Sequence, residues 1–119
     1  MMRASIIVII LALLVGCNVC SDDVKNEADS PNGAITATWS LRDCGATTDF
    51  SSIISVHKRS EGKRSDSQVV FIAKGPKQLY LKWESPGRLL VECMDCEKAD
   101  IFKQVTSIDN ITIVYQGLK

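Results

Sequence analysis

Residues 78–93, QLYLKWESPGRLLVEC, contain the pattern that decides the fold. Leu79, Leu81 and Trp83 alternate with Tyr, Lys and Glu, which is the two-residue period of a strand with one buried face. Pro and Gly within residues 85–87 favour a tight turn, and the apolar run after them has the character of a returning strand. The stretch therefore predicts a β-hairpin.

Further segments of the same kind follow at roughly ten-residue spacing. The predicted strands are residues 34–41, 50–57, 68–73, 78–84, 88–93 and 111–116. Most connections have hairpin length, so the sheet should be mainly antiparallel. Residues 97–107 have apolar side chains every third position, which permits one short helix and also a strand. We predict an all-β domain, a small antiparallel meander or sandwich of about six strands, with room for one short helix near the C-terminus.

Length and charge narrow the functional classes. The chain has 119 residues, which is enough for one domain. Its 14 Lys and Arg residues balance 14 Asp and Glu residues. A nucleic-acid-binding protein usually has a basic excess on one face, so the composition argues against that class.

The N-terminus has the organisation of a bacterial lipoprotein signal. A basic start at Arg3 precedes 12 uncharged residues, 4–15, whereas a membrane-spanning helix needs about 20. Leu14-Val15-Gly16-Cys17 then resembles a lipobox, the cleavage site of bacterial lipoproteins. The resemblance implies that residues 1–16 are removed and that the Cys17 thiol carries a lipid. An ordinary cleaved signal peptide, with Cys17 or Cys20 in a disulfide, is the alternative.

This signal also predicts the location of the protein. Each buried methylene contributes about 0.8 kcal/mol, so two or three acyl chains such as palmitate anchor a protein stably. The expected partner is therefore a membrane in the bacterial cell envelope. Asn18 stands where an Asp would favour the inner membrane, so a source with two membranes would place the protein on the periplasmic side of the outer one.

A change in composition divides the mature chain. Residues 18–33 are polar and hold almost no apolar side chains, so they cannot pack a core. We predict that residues 17–33 form a lipidated flexible tether and that residues 34–119 form the β domain.

Four cysteines remain after Cys17, and an exported compartment favours disulfides between them. Four cysteines allow three connectivities. We favour a bridge from Cys44 to Cys93 or Cys96, because it would join the first predicted strand to the fifth. Cys20 would then lie in the tether.

The Cys93-Met94-Asp95-Cys96 segment also permits thiol-redox chemistry, or a zinc site completed by Cys44 and His57. A reactive thiol needs neighbours that lower its pKa, and the carboxylates at positions 92, 95 and 97 oppose thiolate formation. A second closely spaced ligand pair is absent from the sequence. We assign no catalytic residue, metal or cofactor.

Two segments resemble an uncharacterised family of small bacterial envelope proteins. They are residues 30–33, Ser-Pro-Asn-Gly, and residues 44–48, Cys-Gly-Ala-Thr-Thr. In that family a Ser-Pro-Asp-Gly-like turn leads into a strand that ends in Cys-Gly-Ala-Thr-Thr, and Asn32 replaces the usual Asp. Trp83 and residues 111–115 match a later tryptophan strand and the terminal strand. The resemblance implies the compartment and the β architecture, and no activity.

These observations predict a non-enzymatic envelope lipoprotein that binds a protein or polymer partner or acts as a structural module. The alternative is a thiol-redox or metal-binding domain that uses Cys93, Cys96 and Cys44.

Overall fold

The structure is a computed structural model that describes residues 20–45, 49–59 and 67–119. These residues form nine strands and one three-residue 3-10 helix, Lys98–Asp100. The strands are β1 (Ser21–Asp29), β2 (Ile35–Asp43), β3 (Ser51–Lys58), β4 (Gln68–Lys74), β5 (Leu79–Ser85), β6 (Arg88–Cys93), β7 (Ile101–Gln104), β8 (Ser107–Ile108) and β9 (Ile111–Gln116). The all-β prediction is confirmed.

The strands form two sheets with the orders β1-β2-β3-β4-β7 and β5-β6-β9-β8. Six of the seven strand pairs among the described residues are antiparallel. Strands β1 to β4 form a meander, in which each strand pairs with the next along the chain. The exception is β9, which lies parallel to β6, because the intervening chain first adds β7 to the other sheet.

The six predicted strands correspond to β2 to β6 and β9, with bounds that differ by at most two residues. Residues 97–107 form the 3-10 helix, then β7 and the first residue of β8, rather than one longer helix. The helix allowed for near the C-terminus is therefore a single short turn.

Side chains from both sheets fill one hydrophobic core. Phe71 of β4 and Ile54 of β3 are fully buried, as are Leu79 and Leu89 from the hairpin of the second sheet. Apolar area removed from water contributes about 25 cal/mol per Å², so these large side chains are the main source of stability. The predicted inward face of β5 is confirmed, since Leu81 and Trp83 pack against this cluster.

The prediction of a flexible tether over residues 17–33 is wrong for Ser21–Asp29, which form β1. This strand pairs with β2 from Ser21 opposite Asp43 to Asp29 opposite Thr36, with a bulge between Val24 and Asn26. An edge strand satisfies its backbone through its neighbour and does not need apolar side chains. The polar composition of residues 21–29 therefore reflects a strand whose side chains face solvent, and not a flexible tether.

Residues 30–34 form the turn between β1 and β2, and Pro, Asn and Gly at positions 31–33 are residue types that favour turns. Ser30 Oγ donates to Asn32 Oδ1 at 2.7 Å and accepts from the backbone N–H of Ile35 at 3.1 Å. Asn32 Oδ1 also accepts from the N–H of Ala34 at 3.2 Å, and Gly33 has a φ of +71°. A single acceptor oxygen at position 32 closes this turn, and either Asn or Asp supplies it.

Candidate functional site

The first disulfide joins Cys20 to Cys44, which lie just before β1 and just after β2, with a Cα–Cα distance of 4.0 Å. The carboxylate of Asp43 accepts a hydrogen bond from the N–H of Gly45 at 3.0 Å, and Gly45 has a φ of +123°. Gly45 therefore has a backbone conformation that favours glycine, directly after the cross-linked Cys44. Both cysteines are exposed.

The second disulfide joins Cys93 to Cys96 at the end of β6, with a Cα–Cα distance of 5.6 Å. Both residues are buried, at 2% and 1% exposure. The predicted bridge from Cys44 to Cys93 or Cys96 is therefore wrong. The reason is β1, which the sequence analysis missed and which places Cys20 opposite Cys44 at the open end of the β1–β2 hairpin.

The C-terminal residues cover this second disulfide. The N–H of Lys119 donates to the carbonyl of Cys96 at 3.1 Å, and the carbonyl of Lys119 accepts from the N–H of Lys98 at 2.8 Å. Gly117, with a φ of +82°, lies so close to Cys93 that a Cβ there would collide with the Cys93 carbonyl. Reagents in solvent consequently have little access to the sulfur atoms.

Asp95 completes a group of three residues of metal-ligating type. Its Oδ1 atom lies 3.8 Å from Cys93 Sγ and accepts a hydrogen bond from the N–H of Gln78 at 3.1 Å. The ligand atoms of Cys93, Asp95 and Cys96 all lie within 4.8 Å of one another. While the disulfide is intact, however, the group offers one carboxylate and no thiolate.

The other two residues predicted for a zinc site do not join this group. Cys44 is bonded to Cys20. His57 lies opposite Thr36 in the strand register, at the end of β2 and β3 that is far from Cys44. A site built from Cys44, His57 and the Cys93/Cys96 pair is therefore not assembled in the structure.

Both disulfides lie at one end of the domain, which we call the disulfide end. It comprises the first residues of β1, β3, β5 and β7, the last residues of β2, β4, β6 and β9, and residues 44–45, 49–50, 75–78, 94–100 and 117–119. Lys77 holds its parts together, because its Nζ donates to the Asp95 carbonyl at 3.2 Å and pairs with the Asp100 carboxylate at 3.4 Å.

A shallow cleft of about 600 Å³ opens at the disulfide end. Its lining residues are Asp43, Gly45, Asp49, Phe50, Lys74, Gly75, Pro76 and Asp100. Lys74 Nζ pairs with Asp49 at 3.4 Å, so part of the charge in the cleft is neutralised internally. The cleft joins the surroundings of Cys44 to Asp100, next to β7.

Tyr115 is partly buried, and it is the one hydroxyl among the described residues whose ionisation the fold changes strongly. Its OH lies 2.6 Å from the Val105 carbonyl and 3.3 Å from that of Val70. Burial raises the pKa of this hydroxyl well above its ordinary value, and the hydrogen bond to Val105 opposes that effect only in part. Tyr115 therefore acts as a neutral donor that ties β9 to the other sheet.

The chain matches no protein-family model, no curated protein and no solved structure. The resemblance to the Cys-Gly-Ala-Thr-Thr family therefore stays a prediction. The signal peptide predicted at residues 1–16 and the lipidation predicted at Cys17 lie outside the described residues. Within residues 20–45, 49–59 and 67–119, no helix has the length and apolar character that a membrane span requires.

Proposed function

We propose that this protein is a lipid-anchored bacterial envelope protein whose β domain is a non-enzymatic binding or structural module. The observation that carries the proposal is Leu14-Val15-Gly16-Cys17, which follows a basic start and a 12-residue uncharged run. A small residue directly before the thiol suits a protease that cleaves after lipid has been attached to the sulfur. No other segment of the chain combines these features.

The disulfides support this proposal in two ways. Paired cysteines are typical of oxidising compartments outside the cytoplasm. The chain has five cysteines, and four of them pair as Cys20–Cys44 and Cys93–Cys96. Cys17 is thus the fifth cysteine, and a cysteine outside the two disulfides suits a thiol that carries a lipid. Cys20 in a disulfide is compatible with an ordinary signal peptide as well, so the test must address Cys17 directly.

The experiment is to express the full chain in a bacterium fed with labelled palmitate. We expect label on the wild-type protein and on Cys44→Ser, a matched control that removes a different cysteine. Cys17→Ser should carry none and should stay unprocessed or be released from the membrane. Equal labelling of Cys17→Ser would overturn the proposal.

The burial of Cys93 and Cys96 favours a structural role over catalysis, because thiol–disulfide exchange requires an attacking thiolate to reach a sulfur atom. A thiol-redox or metal-binding function remains the second candidate, since Cys93, Asp95 and Cys96 do come together. In this structure it could not involve Cys44. Metal analysis of the reduced protein would test it, with Cys93→Ser as the variant that should lose any bound zinc.

A further inference from the structure

The distance between the anchor and the folded domain is short. Only Asn18 and Val19 separate Cys17 from Cys20, and an extended chain spans at most about 3.5 Å per residue, or roughly 10 Å for these three steps. Cys20 is bonded to Cys44, and β1 begins at the next residue. A lipid on Cys17 would therefore hold the Cys20–Cys44 disulfide within roughly 10 Å of the bilayer surface, which brings the disulfide end close enough for the rest of it to reach the membrane.

Exposed apolar side chains are concentrated at that same end. The described residues include five large hydrophobic side chains that are exposed: Val24, Phe50, Tyr80, Met94 and Phe102. All except Val24 belong to the disulfide end or lie second in a strand that begins there. Aromatic side chains are enriched where proteins meet the headgroup region of a membrane.

The opposite end has a different character. Its described turns are residues 31–34, 86–87 and 109–110, and their side chains are mainly polar or small. Ion pairs surround them: Arg59 with Asp29 at 3.0 Å, Arg88 with Glu84 at 3.0 Å and Lys58 with Asp109 at 4.0 Å. A surface of this kind is suited to water.

The charges of the disulfide end are also compatible with a lipid surface. Lys77 is only 13% exposed at its side chain and pairs with Asp100, while Lys74 pairs with Asp49. Asp43, Asp95 and Glu97 also belong to this end, as do Lys98 and Lys119, so five acidic residues stand against four basic ones and neither sign is in strong excess.

From the short link and the one-sided distribution of apolar side chains, we propose that the disulfide end docks on the bilayer surface. Phe50, Tyr80, Met94 and Phe102 contact the headgroup region, and the polar end points away. This inference rests on the proposed lipidation of Cys17 and deepens it, since it specifies an orientation and a contact surface.

The test uses the full lipidated protein in vesicles of phosphatidylethanolamine and phosphatidylglycerol that carry a quencher on their headgroups. Phe102→Cys and Ser85→Cys each add a single free thiol for a fluorophore, at the disulfide end and the opposite end respectively. We expect several-fold stronger quenching at position 102 than at position 85. Tyr80→Cys is a second reporter, in case labelling at position 102 disturbs β7.

A tether variant provides the matched control. Insertion of 16 Gly and Ser residues between Val19 and Cys20 keeps the lipobox and the fold, and it allows an average separation of about 20 Å. We expect this insertion to abolish the difference between positions 102 and 85.

Three results would overturn the inference. Equal quenching at positions 102 and 85 on a protein that carries lipid would overturn the docking alone. The exposed apolar side chains of this end would then be assigned to contact with a protein partner. A difference that survives the insertion would show that the short link is not its cause. Absence of lipid on Cys17 would overturn both this inference and the proposed function.

Discussion

The indole Nε1 of Trp83 donates a hydrogen bond to the carbonyl oxygen of Ala28 at 2.9 Å. Trp83 lies in β5 of one sheet, and Ala28 lies in β1 at the edge of the other, so this bond fastens the two sheets together. Trp39 differs, because its Nε1 is buried with no hydrogen-bond partner in the part of the chain that the structure describes. The same chemical group is thus satisfied in one tryptophan and unsatisfied in the other.

This difference predicts unequal effects of two matched substitutions. Trp83→Phe removes packing and leaves the Ala28 carbonyl without its donor, whereas Trp39→Phe removes similar packing together with an unsatisfied donor. An unmade hydrogen bond at a buried group costs about 1–3 kcal/mol, so Trp83→Phe should lower the free energy of unfolding by about 1–2 kcal/mol more than Trp39→Phe does. Urea unfolding of both variants measures this, and equal losses would contradict it.

The two disulfides should differ in their resistance to reduction. Cys20 and Cys44 are exposed, whereas Cys93 and Cys96 are buried under the C-terminal residues. Since exchange depends on access to sulfur, a mild reductant should open Cys20–Cys44 first in the native protein. Alkylation followed by mass spectrometry identifies the order. Earlier opening of Cys93–Cys96 would instead favour the thiol-redox candidate.

Gly117 and Gly33 form another matched pair, because both have a positive φ. Alanine at position 33 would have no heavy atom within 4 Å of its Cβ, so only backbone strain of about 1–2 kcal/mol is expected. Alanine at position 117 would add a collision with the Cys93 carbonyl. Thermal unfolding should therefore show a larger loss for Gly117→Ala, and its Cys93–Cys96 disulfide should become easier to reduce. Equal stability losses would show that the C-terminal residues do not press on Cys93.

Tyr115 should make the protein sensitive to alkaline pH. Burial raises the folded-state pKa of its hydroxyl above the ordinary value of 10.0, which the unfolded chain retains. The unfolded state therefore loses the proton first, and stability that is fully present below pH 10 falls as the pH rises from there toward the folded-state pKa. Stability measured from pH 8 to 11 should decline less for Tyr115→Phe than for the wild type. Tyr80→Phe, which removes the hydroxyl of a tyrosine that is 57% exposed, is the matched control variant.

Period-two alternation and turn residues predicted six strands because both signals report burial on one face and local backbone geometry. Leu79, Leu81 and Trp83 illustrate this, since side chains that face the core are apolar and therefore produce an alternating pattern in the sequence. Strand β1 shows no such alternation, because most of its side chains face solvent and its stability comes from backbone pairing with β2. β7 and β8 are too short for their alternation to be recognised.

The sequence can bring Cys20 near Cys44, but it does not give their exact register. Next to the turn, Asp29 lies opposite Thr36, so the paired residue numbers sum to 65, whereas beyond the bulge between Val24 and Asn26 Ser21 lies opposite Asp43 and the sum is 64. Cys20 and Cys44 continue that sum. A hairpin extended backwards from the turn at residues 30–33 without this bulge would place Cys20 opposite Gly45, one residue out of register with Cys44.

The position of β9 has a consequence for the order in which the molecule assembles. Strands β1 to β4 pair with their sequence neighbours, so their sheet can form through local contacts as soon as those residues are available. In the other sheet, β6 has β5 on one edge and must wait for β9 on the other, with Arg88 opposite Thr112. Until the final residues arrive, β6 presents an unpaired edge that other chains can join. The interval between synthesis of β6 and β9 is thus the period in which this protein is most exposed to misassembly.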